Sequence, residues 1–148
     1  MNVIKIRPLE ASDFAAWSAL YAGYAAFYQV IQTEEMRARV WKWIFDPEHE
    51  TEGLIALLNG KPVGITHFRP FARPLSATTG GFLDDLFVAP EARGTGAAEA
   101  LIRGVENEGR ARGWSVIRWI TAEDNARARA LYDKIAQHTA WQTYDIKL

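Results

Sequence analysis

The stretch from Leu83 to Ala98, LDDLFVAPEARGTGAA, limits what this chain can fold into more than any other. Leu83 to Val88 is an apolar run between Gly80-Gly81 and Pro90, and predicts a strand. From Ala97 the spacing becomes helical, with Leu101, Ile102 and Val105 on one face. Arg93-Gly94-Thr95-Gly96 lies between the two. The first turn of a helix carries unpaired N–H groups and the positive end of a dipole. Glycines let that backbone approach a phosphate, because no Cβ intervenes. The ligand implied is a phosphorylated one, with Arg93 assisting. On these four residues alone an ordinary tight turn fits equally well. No Gly-Lys-Ser/Thr follows, and the third glycine of a dinucleotide fingerprint is missing.

The rest of the chain predicts elements on either side of this turn. Val3 to Arg7 alternates and is a first strand, stopped by Pro8. Ser12-Asp13 caps a helix to about Tyr28, in which Gly23 is a weak point. Thr33-Glu34-Glu35 opens a second helix through Val40, Trp41 and Ile44, ended by Asp46-Pro47. Gly53–Leu58 and Pro62–Phe68 form a hairpin on Asn59-Gly60. Arg69 to Thr79, with two prolines, two arginines and no periodicity, is expected to be a loop. Phe82–Val88 is the fourth strand, and Ala97–Arg112 is a helix closed by Gly113. Ser115–Thr121 is a fifth strand, parallel to the fourth, because a helix connects them. A helix over Asn125–Ile135 and a last strand over Trp141–Lys147 complete the chain.

Composition narrows the function. A length of 148 residues with 49% hydrophobic and 24% charged residues suits one ordinary globular domain over residues 1–148. A net charge of −1 offers no basic field for nucleic acid. Without cysteine there is no disulfide, thiolate metal site or thiol nucleophile. His49, His67 and His138 share no metal-ligand spacing, so no metal is expected. No serine sits in a nucleophile elbow. The N-terminus has no apolar leader, and no apolar run is long enough to span a membrane. A cytoplasmic protein without membrane or nucleic-acid partners is expected.

The whole string Val88-x-Pro90-x-x-Arg93-Gly94-x-Gly96-x-Ala98 resembles the acetyl-CoA loop of the GCN5-related N-acetyltransferases, Arg/Gln-x-x-Gly-x-Gly/Ala. Asn125-x-x-Ala128-x-x-Leu131-Tyr132-x-Lys134 resembles the later motif of the same family. The resemblance runs from about Val3 to Lys147 and is strongest from Phe82 to Tyr132. There is one departure. Ile135 to Thr139 follow the second motif, and Ala140-Trp141 stands where the family has Gly-Phe. The tracts LDDLFV and YDKIA are similar to a branch with histone- and polyamine-acetylating members.

The resemblance implies a single α/β domain with a mixed, mostly antiparallel sheet. The expectation is about six to seven strands, a parallel splayed pair at the cofactor site, and about four helices. It further implies that amides of Arg93, Gly94, Thr95, Gly96, Ala97 and Ala98 hold the coenzyme's pyrophosphate. Phe87 and Val88 would pair with the pantetheine like an added strand, Val88 also near the thioester oxygen. Asn125 would touch the pantetheine or the loop, although a helix N-cap suits it too. Tyr132 would protonate the leaving sulfur; on its residues alone it is also a core aromatic.

Acyl transfer to an amine needs a neutral nitrogen, and an alkyl ammonium has a pKa of about 10.4. Asp84 and Asp85 lie on the strand beside the loop, and strict alternation sends them to opposite faces. One of them could attract the cationic acceptor and pass on its proton; a cap or ion-pair role is open to each. Glu123 and Asp124 are second candidates, with a loop or cap role as the alternative. Tyr24, Tyr28 and Trp41 are candidate acceptor contacts or helix-face core. The chemistry points to acetyl-CoA-dependent N-acetylation of a primary amine: a small molecule, amino acid, polyamine or lysine side chain. A non-catalytic acyl-CoA-binding module and a protein or histone-tail acetyltransferase are the alternatives. A homodimer formed through the C-terminal strand is expected, with Trp141 and Tyr144 offering contact surface.

Overall fold

The computed structural model describes residues 2–148. Nine strands and α-helices follow one another along it. In chain order they are β1 (Ile4–Pro8), α1 (Phe14–Phe27), α2 (Glu34–Phe45), β2 (Glu52–Leu58), β3 (Lys61–Arg73), β4 (Thr78–Val88), α3 (Ala97–Arg112), β5 (Ile117–Arg118) and α4 (Ala126–Ile135). The strands form one sheet in the order β1-β2-β3-β4-β5. The first four pair antiparallel, and β5 joins β4 in parallel.

The helix ends follow local chemistry. Thr33 accepts from the Met36 N–H at 3.1 Å and starts α2, and Asp46 before Pro47 is extended and stops it. Gly113 closes α3 with a left-handed φ of 74°. α1 runs unbroken through Gly23, where a Cβ would come within 3.1 Å of the Phe87 ring. The missing side chain there lets the helix settle on the sheet.

Both faces of the sheet are covered. On one, Leu101, Ile102 and Val105 of α3 pack against Leu54, Ala56, Phe68 and Leu83. On the other, Trp17 of α1 packs against Ile55, Ile65 and Phe87, with Trp41 and Ile44 of α2 beside them. Ile55 faces α1 while Leu54 and Ala56 face α3, the period of two that strands impose.

The sheet has five strands, fewer than expected. Arg69 to Thr79, expected to be a loop, is a ladder: β3 continues to Arg73 and pairs as far as Arg73↔Thr78, with only the turn Pro74–Ser76 and Ala77 between the strands. Alternation is weak there because glycines and prolines line the pairing, yet the hydrogen-bonded edge of β4 is close enough to extend it. β5 is shorter than Ser115–Thr121, since it meets β4 only at Gly81↔Ile117 and Phe82↔Arg118. Trp141–Lys147 forms no strand. A strand needs an edge to pair with, and this segment stands away from the chain with Trp141 88% and Tyr144 89% exposed.

β4 parts from β5 just where its own regularity breaks. His67 pairs with Asp85 and Phe68 with Leu83, so Asp84 is an extra residue without an opposite number. Such a bulge bends and twists its strand. Beyond it β4 curves away and leaves an open edge over Leu86 and Val88.

Candidate active site

The turn from β4 to α3 takes the form that the sequence indicates. After the helical turn Pro90–Ala92, Gly94 and Gly96 have φ of 83° and 90°. A Cβ on Gly94 would meet nothing within 4 Å, so its glycine answers to backbone conformation and not to crowding. The Thr95 hydroxyl donates to the Ala92 carbonyl at 2.6 Å, and Ala92 and Ala97 are buried beneath the turn. The Ala100 N–H is the first to turn back, to the Gly96 carbonyl at 3.0 Å. The earlier amides of the helix are left facing out, as at any N-terminus of this kind. The Arg93 guanidinium lies 5.2 Å from the centre of the Phe27 ring, which brings the end of α1 to the loop.

The open edge of β4 continues from this loop. The Ala89 N–H donates to Val63 of the neighbouring hairpin at 2.8 Å. By antiparallel alternation the Phe87 main chain is spent on β3, while Val88 and Leu86 direct theirs into the gap. Phe87 amide pairing with a ligand is therefore corrected: of the two expected amides only Val88's is free, and Leu86 joins it.

α4 sets Leu131, Tyr132 and Ile135 against the core on the α3 side. Asn125 accepts from the Ala128 N–H at 3.3 Å, so it is the N-cap. Tyr132 is half-buried, edge-on to Trp119 with ring centres 5.4 Å apart. Burial pushes its phenol up to about 12, with Tyr28 adding to the rise. It therefore holds its proton at neutral pH. Tyr28 stacks tilted on Tyr24 at 4.9 Å, so the end of α1 forms an aromatic rim near the phenol. Glu123 and Asp124 are exposed before α4, where the Glu123 carbonyl accepts from Arg129 at 2.8 Å; theirs is the loop role.

The carboxylates depart from strict alternation. Leu83 and Leu86 both pack on the α3 side, three residues apart, and Asp84 and Asp85 both line one cleft on the opposite side. The bulge causes this, because its extra residue resets the pleat. The cleft measures about 320 Å³ and is walled by Tyr21, Val40, Trp43 and His67, with His49 and Glu50 at one end. Trp41 does not line it. It packs against Phe14 at 5.3 Å and Trp17 at 4.8 Å in the core, and Trp43, stacked on His49 at 4.8 Å, takes the wall position.

The two aspartates have unlike surroundings. Asp85 accepts from the Tyr21 hydroxyl at 2.9 Å and lies 2.8 Å from His67 Nδ1. Burial pushes its carboxyl up, but the hydrogen bonds from His67, Tyr21 and Tyr24 outweigh this and hold it below the usual range. In return, burial and the charge of Asp85 push both phenols up. Asp84 has one partner, the Arg69 guanidinium at 3.1 Å, and burial raises its carboxyl against that pull. Arg69 also lies 4.9 Å from the centre of the Phe82 ring. Tyr21, Trp17, His67 and Arg69 escape a sequence reading. The one signal was a lone histidine in an otherwise apolar strand.

The sequence model of the acetyltransferase (GNAT) family matches residues 17–136, and the chain belongs to that family. Its enzyme class is that of an acetyltransferase. Among relatives, it is 32% identical over 136 residues to the uncharacterized N-acetyltransferase YhfO of Bacillus subtilis (strain 168), covering 88% of this chain and 87% of that one. It is 26% identical over 138 residues to the D-amino-acid N-acetyltransferase HPA3 of Saccharomyces cerevisiae (strain ATCC 204508 / S288c), covering 92% and 86%. The fold superposes on an aminoglycoside N-acetyltransferase solved in complex with CoA, with a TM-score of 0.85 at 17% identity, over 99% and 96% of the two chains. Among the described residues no three His, Asp or Glu side chains gather as a metal site, and no helix is long and apolar enough to cross a membrane.

Proposed function

We propose that this chain is an acetyl-CoA-dependent N-acetyltransferase acting on a primary amine: a small molecule, amino acid, polyamine or lysine side chain. The observation that carries the reading is continuity. The glycine turn at Arg93 to Ala98 runs into the open edge of β4, and that edge ends at a cleft holding Asp84 and Asp85. Backbone amides of the turn would take the pyrophosphate, and Val88 would meet the pantetheine. The amine nitrogen attacks the thioester carbonyl and the C–S bond breaks. The nitrogen gives up a proton on the carboxylate side, and the thiolate takes one from Tyr132. Asn125 holds the start of α4 and thereby Tyr132. Tyr24 and Tyr28 would rim the acceptor; Trp41 serves the core.

A cationic acceptor suits a cleft with three carboxylates, Glu50, Asp84 and Asp85, and one guanidinium. Similarity to a D-amino-acid N-acetyltransferase keeps amino acids among the candidates. The reading extends to a cytoplasmic homodimer without nucleic-acid or membrane partners. Its support is the near-neutral charge and the exposed Trp141, Tyr144 and Ile146 of the C-terminal segment, which pairing with a second copy would cover. A monomer in light scattering at micromolar concentration refutes the dimer.

The direct test is a panel of primary amines and alcohols with acetyl-CoA, following free thiol. Release is expected with amines. Reaction with hydroxyl acceptors alone, or amine acetylation unchanged when Asp84→Asn and Asp85→Asn are combined, refutes the acceptor chemistry.

A further inference from the structure

Trp17, His67 and Asp85 form a line of hydrogen bonds with only one possible direction. Trp17 is fully buried and His67 is 1% exposed. An indole N–H can only donate. It donates to His67 Nε2 at 2.9 Å, so that nitrogen carries no proton. The ring proton is therefore on Nδ1, which donates to Asp85 Oδ2 at 2.8 Å. The Tyr21 hydroxyl donates to the same oxygen at 2.9 Å. A second proton on the ring would have to meet the indole N–H head-on. The line thus aims donors at Asp85 from the core side and leaves the carboxylate's remaining lone pairs to the cleft.

Asp84 is the contrast on the same bulge. No buried donor fixes it; Arg69 holds it from the rim, and its side chain is 35% exposed. It is the more exposed of the two, since the Asp85 side chain is 21% exposed.

Resting on the reading of this cleft as the acceptor site, we infer that Trp17, acting through His67, is a positioning residue that keeps Asp85 as the fixed counter-charge for the acceptor's ammonium, whose proton leaves to Asp84. The step balances: one ammonium N–H bond breaks and an O–H bond forms on the Asp84 carboxylate, the freed nitrogen pair attacks the thioester, and as the C–S bond breaks the nitrogen's second surplus proton replaces the one that Tyr132 gives to the leaving sulfur. The opposite directions in which the two carboxyls are pushed agree with this division. Other titratable or charged groups facing Asp85 and His67 are Tyr21 and Tyr24 from α1 and Arg69 from β3, with His49 and Glu50 at the end of the cleft.

The test compares wild type with Trp17→Phe, His67→Asn and His67→Leu, using n-butylamine as the acceptor and nitrogen NMR of the histidine ring. Wild type is expected to show the Nδ1–H tautomer at pH 7. Trp17→Phe keeps an aromatic ring but removes the donor to Nε2, so the ring is no longer held in one tautomer and the nitrogen spectrum should show Nε2–H beside Nδ1–H. In the Nε2–H form Asp85 loses the donor from Nδ1. At pH 7 the amine KM should rise about tenfold, the worth of one hydrogen bond to a charged group, with kcat and the acetyl-CoA KM unmoved. His67→Asn can place an amide N–H where Nδ1–H was and should keep the low amine KM; His67→Leu should not. An Nε2–H tautomer in wild type, or equal losses in kcat and in both KM values with no change of ring tautomer in Trp17→Phe, overturns the inference. A wild-type ring with the Nδ1–H tautomer in a protein that acetylates no amine overturns instead the reading of the cleft on which it rests.

Discussion

The two halves of this site are built from different material. The half at the β4–α3 turn is backbone: two glycines at positive φ and the outward amides of a helix start. The half at the bulge is side chain: two carboxylates, two phenols, a histidine and a guanidinium. A backbone site answers to shape and is blind to pH, because amides do not titrate in the neutral range. A side-chain site answers to protonation, and its character depends on what stands behind each group. Asp84 and Asp85 make the point within one turn of chain. They are neighbours in sequence and share a cleft, yet a buried histidine and two phenols make one a stable anion, while a single rim arginine leaves the other raised.

The sharpest way to break the comparison is at the backbone half. Gly96→Glu forces a side chain onto a residue with φ of 90° and puts a negative charge at the anion site. Acetyl-CoA binding is expected to vanish in calorimetry while the fold persists by circular dichroism. Next in size is Tyr132→Phe, which spans the halves. Coenzyme binding should hold and kcat should fall by about 10²–10⁴-fold, the range of general acid catalysis. Equal rates at saturating amine would remove Tyr132 from the chemistry.

Smaller effects separate the two aspartates. Asp85→Asn leaves buried donors facing an amide and should lower stability by about 1–3 kcal/mol at pH 7 in urea unfolding. Asp84→Asn should act in the opposite sense and raise it slightly. The signs follow from linkage. The Asp85 carboxyl sits lower folded than unfolded, so its contribution is present above the unfolded value of about 3.9 and is lost as pH falls through the lower folded value. The Asp84 carboxyl sits higher folded than unfolded, so its support is full below the unfolded value and is lost as pH rises through the folded one. Destabilisation by both variants at pH 7 would contradict the contrast.

The backbone half was legible in the sequence because its chemistry is local. Pro90, Gly94, Gly96 and Gly113 each state a backbone requirement within a few residues. Thr33 and Asp46-Pro47 mark α2 in the same way. The side-chain half was only partly legible. That Asp84 and Asp85 share a face depends on a bulge, and a bulge belongs to a pair of strands and not to either sequence. The ladder from Arg69 to Thr79 was hidden for the same reason: pairing overrode a composition that suits a loop. His67 gained its role from Trp17, fifty positions away. The segment after α4 alternates like a strand, but alternation does not supply an edge.

One measurement bears most directly on the claim that the two halves form a single acetyl-transfer site. Wild type and Gly96→Glu are each mixed with acetyl-CoA and the amine panel, and the acetylated amine is quantified by mass spectrometry alongside free thiol. The account predicts equal amounts of thiol and acetyl-amine from wild type, with neither from Gly96→Glu. Thiol without acetyl-amine in wild type, or full transfer by the folded glutamate variant, would contradict it.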